Sequence, residues 1–292
     1  VLESSWVLAA MSSQLPTAHS KWLFEIQSYS VLLMRGEDNL VRAFYNSCLH
    51  RGTKLMEATK KHRNPCVDEM LTCPYHGWQY DSKGCLRHIP RSSGIEVSMG
   101  ARLKPLQVRE SAGLIWVCLG KPRETFESFL PSIPDALQKY NLEEMQPIES
   151  RDFEFSVNWK VSLENALDYY HVSTVHGQSV NALVEESPTF EPIHWHSLQT
   201  LNIAPYKWRS WIDQKCARHS GYSPHEMSSL HKYFIFPNLV LNVLPYHLTI
   251  MQIWPIDERR CRMRYRFCYR KNPSMIERIR AYASWLASRY IL

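Results

Sequence analysis

"CLHRGTKLMEATKKHRNPCVDEMLTCPYH" occupies residues 48–76. It opens on Cys-x-His (Cys48, His50) and closes on Cys-x-x-His (Cys73, His76). Each short turn supplies one thiolate and one imidazole. A tetrahedral zinc ion accepts two Cys and two His. A [2Fe–2S] cluster accepts the same set, with the Cys pair on one iron and the His pair on the other. Zinc ribbons usually pair Cys with Cys inside each loop. A Cys and a His in each loop lets each loop hold both irons of a two-iron cluster. Four unconnected core residues are the third reading. Cys66 and His62 lie between the turns and are rival ligands in principle, but neither has a partner at metal-binding spacing.

Working outward, the 292 residues are enough for one large domain or two ordinary ones. Charged residues make up 21%, and the net charge of +6 is too mild and dispersed for a nucleic-acid surface. No apolar run is long enough for a membrane span. Eight cysteines are too sparse for a disulfide framework, so a reducing, cytoplasmic setting is expected. The chain opens without Met, and no signal-like segment follows. We expect residues to precede Val1, a transit peptide being conceivable among them.

Residues 21–120 read as short strands broken by turns at "GEDN" and "SAG", a small all-β module. Pro, Ser and charge accumulate over 121–134, a plausible domain edge. The expected division is therefore 1–125 and 126–292. The second part opens with the helical "WKVSLENALDYYHVSTVH". It continues with "LVLNVLP" and a hairpin, "LTIMQIWP" to "RCRMRYRFCYR". It closes on "PSMIERIRAYASWLASRYIL", apolar at Ile276, Ile279, Ala283, Leu286 and Tyr290, with Pro273 and Ser274 as a helix start. No stop signal precedes Leu292, so the C-terminus is expected to be truncated. The fold class expected is α+β: a small β domain, then an antiparallel sheet flanked by helices.

The second constellation is "ENALDYYHVSTVH", with Glu164, Asp168, His171 and His176. On one helix, Glu164, Asp168 and His171 share a stripe. His176 falls about 140° further round than His171, so a helix break is expected at 173–175 if both reach one metal. Two imidazoles and a carboxylate are the facial set of non-haem Fe(II) oxygenases.

The two constellations together resemble the α (oxygenase) component of Rieske non-haem iron oxygenases. That family's pattern is Cys-x-His-Arg-Gly followed by Cys-x-Tyr-His-Gly-Trp. It is met by Cys48, His50, Arg51 and Gly52, then Cys73, Tyr75, His76, Gly77 and Trp78. The 22 residues between His50 and Cys73 are several more than the family's usual gap, and the excess is expected to loop out around "KKHRNPCVDE". The spacing Asp-x-x-His-x-x-x-x-His resembles the family's mononuclear iron motif.

The resemblance implies a Rieske [2Fe–2S] cluster on Cys48, His50, Cys73 and His76, and a mononuclear Fe(II) on His171 and His176. Asp168 would bridge a ligand His to His76 of a neighbouring subunit, which implies a homo-oligomer, most plausibly a trimer. The third iron ligand, an Asp of a late helix, is expected past Leu292. O2 would be co-substrate. NAD(P)H would act indirectly through a ferredoxin or flavoprotein reductase, as no Gly-x-Gly-x-x-Gly is present. The reaction would be a mono- or dioxygenation, or oxidative demethylation, of a small organic molecule. Asp168 and "LENALDYYH" lean toward an aromatic ring, since relatives acting on quaternary amines tend to carry Glu at the bridging place. An electron carrier without oxygenase activity and a zinc-ribbon binding protein are the rivals from other classes.

His194 and His196 are expected on one strand face, as packing or a pocket wall. The aromatic runs "YKWRSWIDQK" and "YFIFPNLVLNVLPYH" are expected either to line a cavity or to fill the core.

Overall fold

The computed structural model describes residues 1–57, 66–91, 100–176, 188–203, 213–217 and 222–289. The chain divides into two compact units, Val1–Ser128 and Phe129–Leu292. His62, Arg209 and most of "YKWRSWIDQK" lie outside the described residues.

The first unit is β throughout. Its larger sheet is built from β1 (Trp6–Met11), β2 (Ser20–Ile26), β3 (Tyr29–Arg35), β4 (Val41–Tyr45), β5 (Cys66–Val67), β9 (Pro105–Ser111) and β10 (Leu114–Cys118). The strand order is β1-β10-β9-β4-β3-β2-β5, antiparallel at every pairing. A small sheet joins β6 (Leu71–Thr72), β7 (Gln79–Tyr80) and β8 (Leu86–His88). The expected turns at "GEDN" and "SAG" separate β3 from β4 and β9 from β10. The segment between the two Cys/His turns does not wholly loop out, because Cys66 and Val67 pair with Lys21 and Ser20.

The second unit is a seven-stranded antiparallel sheet in the order β11-β17-β16-β15-β14-β13-β12. Its strands are β11 (Met145–Phe155), β12 (Thr189–Ile193), β13 (His196–Asn202), β14 (Ser229–Ile235), β15 (Leu239–Val243), β16 (His247–Pro255) and β17 (Cys261–Arg270). The central strands β15 and β16 are buried over nearly every residue, as a sheet covered on both faces requires. Edge strand β11 alternates in burial. Its outward charges fix its register: Asp152 faces Arg264 and Glu154 faces Arg262, each joined by an ion pair.

The described helices include α1 (Phe126–Phe129), α2 (Ile133–Gln138), α3 (Trp159–Leu167), α4 (Val172–Val175), α5 (Pro224–Ser228) and α6 (Met275–Arg289). Helix α3 starts at Asn158, whose side chain accepts from the Lys160 N–H. It packs Leu163 onto Val240, Ile253, Cys261 and Met263. Ser274 and Glu277 exchange hydrogen bonds ahead of α6. Its buried face carries Arg280 and Ala281, whereas Ile279 of the expected stripe is half-exposed.

One local expectation is corrected. His194 and His196 do not share a strand face. His194 sits in the β12–β13 turn at φ 53°, and His196 is buried at the start of β13. Both ring nitrogens of His196 are used, Nδ1 by the Phe236 N–H and Nε2 by the Phe129 carbonyl, so it is a packing residue. The run "YFIFPNLVLNVLPYH" builds β14 and β15, with Tyr233, Leu241 and Tyr246 in the core.

Candidate metal centres

The two Cys/His turns close in the same way. The Cys48 N–H donates to the Thr53 carbonyl (2.9 Å), and the Gly52 N–H donates back to the Cys48 carbonyl (2.9 Å). One motif later, the Cys73 N–H donates to the Trp78 carbonyl (2.8 Å), and the Gly77 N–H donates to the Cys73 carbonyl (3.0 Å). Gly52 and Gly77 hold φ of 70° and 73°, a left-handed conformation that L side chains resist. This is the physical reason a Gly follows each His.

Both cysteines are buried in a cluster with Leu32, Met34, Phe44, Leu71, Trp78 and Leu103. Burial pushes the Cys48 thiol pKa up, the Tyr80 hydroxyl opposing and nearby Cys73 reinforcing. A metal ion reverses that preference, since a coordinating thiol is deprotonated outright. Fully buried Tyr80 lies 3.1 Å from Cys48 Sγ and accepts from the Leu49 N–H at 3.1 Å. Either group can donate in that contact while Cys48 is a thiol; toward a thiolate only the Tyr80 hydroxyl can.

The imidazoles lie further out, His50 half-buried and His76 exposed. Their Nδ1 atoms are 3.1 Å apart. Two nitrogens bonded at about 2.1 Å to one tetrahedral metal stand about 3.4 Å apart, so the rings are close to a chelating pose. His50 stacks on Trp78 with centroids 5.0 Å apart, and His76 lies against Tyr75. Burial, then the His76 and Arg51 charges, lower the His50 pKa and favour the neutral, metal-binding form. Among the described residues no three His, Cys, Asp or Glu side chains converge on one metal position. The four donors stand as a sulfur pair and a nitrogen pair. That suits a two-iron cluster, with one pair of donors to each iron.

The second constellation departs from expectation. The break lies not at 173–175 but earlier: α3 ends at Leu167, Asp168 is extended (φ −67°, ψ 122°), and 172–175 is the helical turn α4. The Asp168 side chain causes this. Its Oδ1 accepts the Tyr170 N–H at 2.8 Å, a local bond that competes with helix continuation. Glu164 and Asp168 therefore do not form one helical stripe with His171. Instead Asp168 Oδ2 accepts from His171 Nδ1 at 2.9 Å, so Nε2 is the ring nitrogen that could face a metal. The His171 hydrogen bond holds the Asp168 pKa below the usual carboxylate value, the Tyr170 N–H adding to it.

His171 and His176 flank α4 with ring centroids 5.5 Å apart. Neither half of the Asp168–His171 pair is enclosed, the side chains being 46% and 24% exposed. Tyr170, Val175 and Val161 are also exposed. These three form an uncovered apolar face, whereas Val172 is buried and Leu167 packs against the core. Among the described residues no carboxylate joins His171 and His176 as a third ligand.

Sequence reading missed three polar groups behind these sites. Tyr80 could have been found, since it stands two residues after Trp78 of the second motif and both are buried. Gln199 and Lys232, which hydrogen-bond the end of α3, are distant in sequence and left no local signal.

The paired Cys/His turns, and the Asp168–His171 pair ahead of α4, give the chain two candidate metal centres. The Rieske [2Fe-2S] domain matches residues 5–100, and the ring hydroxylating alpha subunit (catalytic domain) matches residues 142–290. The chain belongs to the ring-hydroxylating alpha subunit family, a Rieske β domain joined to its catalytic domain. That pair of domains implies a [2Fe–2S] cluster and a mononuclear iron that works with O2.

The carnitine monooxygenase oxygenase subunit of Escherichia coli is 26% identical over 98% of this chain and 74% of its own length. The glycine betaine monooxygenase oxygenase subunit of Chromohalobacter salexigens is 28% identical over 66% of this chain, which spans only 42% of that relative. The fold is shared with a crystal structure of a quaternary ammonium Rieske monooxygenase (TM-score 0.79, 19% identity, 98% of this chain, 74% of that one). It is also shared with naphthalene 1,2-dioxygenase from Rhodococcus sp. (0.76, 19%, 98% and 72%).

Proposed function

We propose that this chain is the oxygenase component of a Rieske-type oxygenase, residues 1–125 forming its electron-entry domain and 126–292 its catalytic domain. The observation that carries the reading is the donor geometry: two identically closed loops that offer a buried sulfur pair and an outer Nδ1 pair. Cys48 and Cys73 would hold one iron of the cluster, His50 and His76 the other. His171 and His176 would hold the mononuclear iron. When bound, these groups supply one-electron transfer and O2 activation.

The chain's own residues do the positioning. Tyr80, 3.1 Å from Cys48 Sγ, would donate to that thiolate and lower its electron density once it held iron. His76, exposed at the outer edge, is where electrons leave the loops. Asp168 fixes the His171 tautomer and remains open enough to meet His76 of a second copy. That need for a second copy supports a homo-oligomer, a trimer by family resemblance. A ferredoxin or flavoprotein reductase supplies the electrons from NAD(P)H. Of the described helices none is long and apolar enough to cross a membrane, and the cysteines whose side chains are described are free thiols. Both facts fit a reducing, cytoplasmic setting.

For the substrate, the names of the carnitine and glycine betaine relatives favour a quaternary amine. A ring-bearing acid is the second reading, favoured by a 26% identity to the toluate 1,2-dioxygenase alpha subunit of Pseudomonas putida over 60% of this chain. Oxygen uptake with each class of compound, in the presence of a reductase, separates the two. The test of the whole reading is electron paramagnetic resonance of the dithionite-reduced full chain, with iron and sulfide counted. A rhombic Rieske signal with three irons and two sulfides per chain supports it. Two irons alone would leave an electron carrier, and zinc without sulfide would overturn it.

A further inference from the structure

Four polar side chains form an unbroken row across the second sheet. Gln199 of β13 is paired in register with Lys232 of β14, Lys232 with Asn242 of β15, and Asn242 with Thr249 of β16. The neighbouring row on the same face is Ser197, Phe234, Val240 and Met251, of which the last three pack with α3. The polar row therefore faces the helix side of the sheet, beside the apolar seat of α3.

Two of its members reach the end of that helix. Gln199 Nε2 donates to the Leu167 carbonyl at 2.9 Å. Lys232 Nζ donates to the Ala166 carbonyl at 3.2 Å. The last carbonyls of a helix have no partner within it. Here they receive an amide and an ammonium ion from adjacent strands, and a cation at a helix C-terminus also opposes the helix dipole. Such an ion on the packed face of a sheet, flanked in its strand by Leu230 and Phe234, is costly unless its bond has a use. An apolar side chain would pack there more easily.

The next residue in the chain is Asp168, already extended, whose carboxylate orients His171. We propose that Gln199 and Lys232 are positioning residues: by clamping the final carbonyls of α3 to the sheet they fix where Asp168 leaves the helix, and hence the direction of His171. The inference rests on the reading of His171 as an iron ligand.

The test compares wild type, Lys232→Met, Lys232→Arg and Gln199→Met in the full chain. Nitric oxide, added anaerobically to the Fe(II) protein, gives a spin-3/2 resonance from a mononuclear site, and the reduced Rieske signal is the internal control. Lys232→Met should weaken mononuclear iron binding about ten-fold and broaden the nitrosyl resonance, the Rieske signal staying unchanged. Lys232→Arg, which keeps a charged donor, should restore both, and Gln199→Met should fall between. Wild-type iron affinity and line shape in Lys232→Met overturn the proposal. If Lys232→Met does not fold, Gln199→Met decides, and a wild-type spectrum there overturns it equally. Wild-type protein with no nitrosyl resonance would instead overturn the functional reading, and this inference with it.

Discussion

The two candidate centres differ in how their parts are held. In the first unit all four donors come from one stretch, and each turn is closed by the same pair of backbone bonds around a left-handed glycine. The sulfurs are fixed inside a core cluster, and the imidazole nitrogens already stand 3.1 Å apart. In the second unit only Asp168, His171 and His176 are local. Around them stand an exposed turn and two strands distant in sequence, whose Gln199 and Lys232 hydrogen-bond the last carbonyls of α3. A site closed by its own backbone can be recognised from spacing alone. One assembled from remote segments cannot.

The sharpest way to break the contrast is to remove one donor from each centre. Cys73→Ala should abolish the Rieske signal completely, because no other described cysteine shares the site and the sulfur pair becomes a single thiol. His171→Ala should leave the Rieske signal intact and remove the mononuclear iron. Loss of both metals in His171→Ala, read by metal analysis, would show that the two units are not separate in assembly.

Asp168→Asn comes next in size. The amide oxygen can still accept from His171 Nδ1, so both metals should remain bound. The negative charge that raises the basicity of His171, and that we propose meets a second copy, is gone. Turnover should fall about 100-fold, at the upper end of the effect of a carboxylate behind a ligand His. The check is single-turnover reoxidation of the reduced cluster, with iron counted. Loss of mononuclear iron in Asp168→Asn would assign Asp168 to metal retention and not to electron passage.

The same contrast explains what was legible in the sequence. The Cys/His spacing, the turns at "GEDN" and "SAG", and the β16–β17 hairpin are local signals, and the structure carries all of them. The turn between β2 and β3 was not seen, because Gln27 takes a φ of 50° where Gly or Asn would have announced it. Strand β11 was missed because its alternating charges read as surface; they are cross-strand ion pairs with β17. The helix break was expected after His171 from metal geometry alone. The side chain of Asp168 ends the helix earlier through its own bond to the Tyr170 N–H.

A smaller effect probes the tuning of the closed site. Tyr80→Phe leaves the ring in the core but removes the hydroxyl 3.1 Å from Cys48 Sγ. A hydrogen bond to a cluster sulfur stabilises the reduced, more negative state. Its loss, about 1 kcal/mol for one bond, should lower the one-electron potential by about 40 mV. Protein-film voltammetry reads this directly, and an unchanged potential would mean that the hydroxyl serves only the Leu49 N–H.

The smallest expected effect separates the two turns from each other. Gly52→Ala and Gly77→Ala both place a Cβ at positive φ, which should cost about 1–2 kcal/mol in either turn. Their surroundings differ. A Cβ at Gly52 meets only Ser47 Oγ at 3.7 Å, whereas one at Gly77 lies 3.0 Å from Pro90 Cγ, tighter than ordinary contact. Gly52→Ala should lower the melting temperature of the first unit by about 4 °C. Gly77→Ala should lower it further and load less cluster, because relief of the Pro90 contact must move the backbone that positions His76. Equal shifts in the two variants would mean that Pro90 yields freely. The closure of the second turn would then depend on its backbone bonds alone, as in the first.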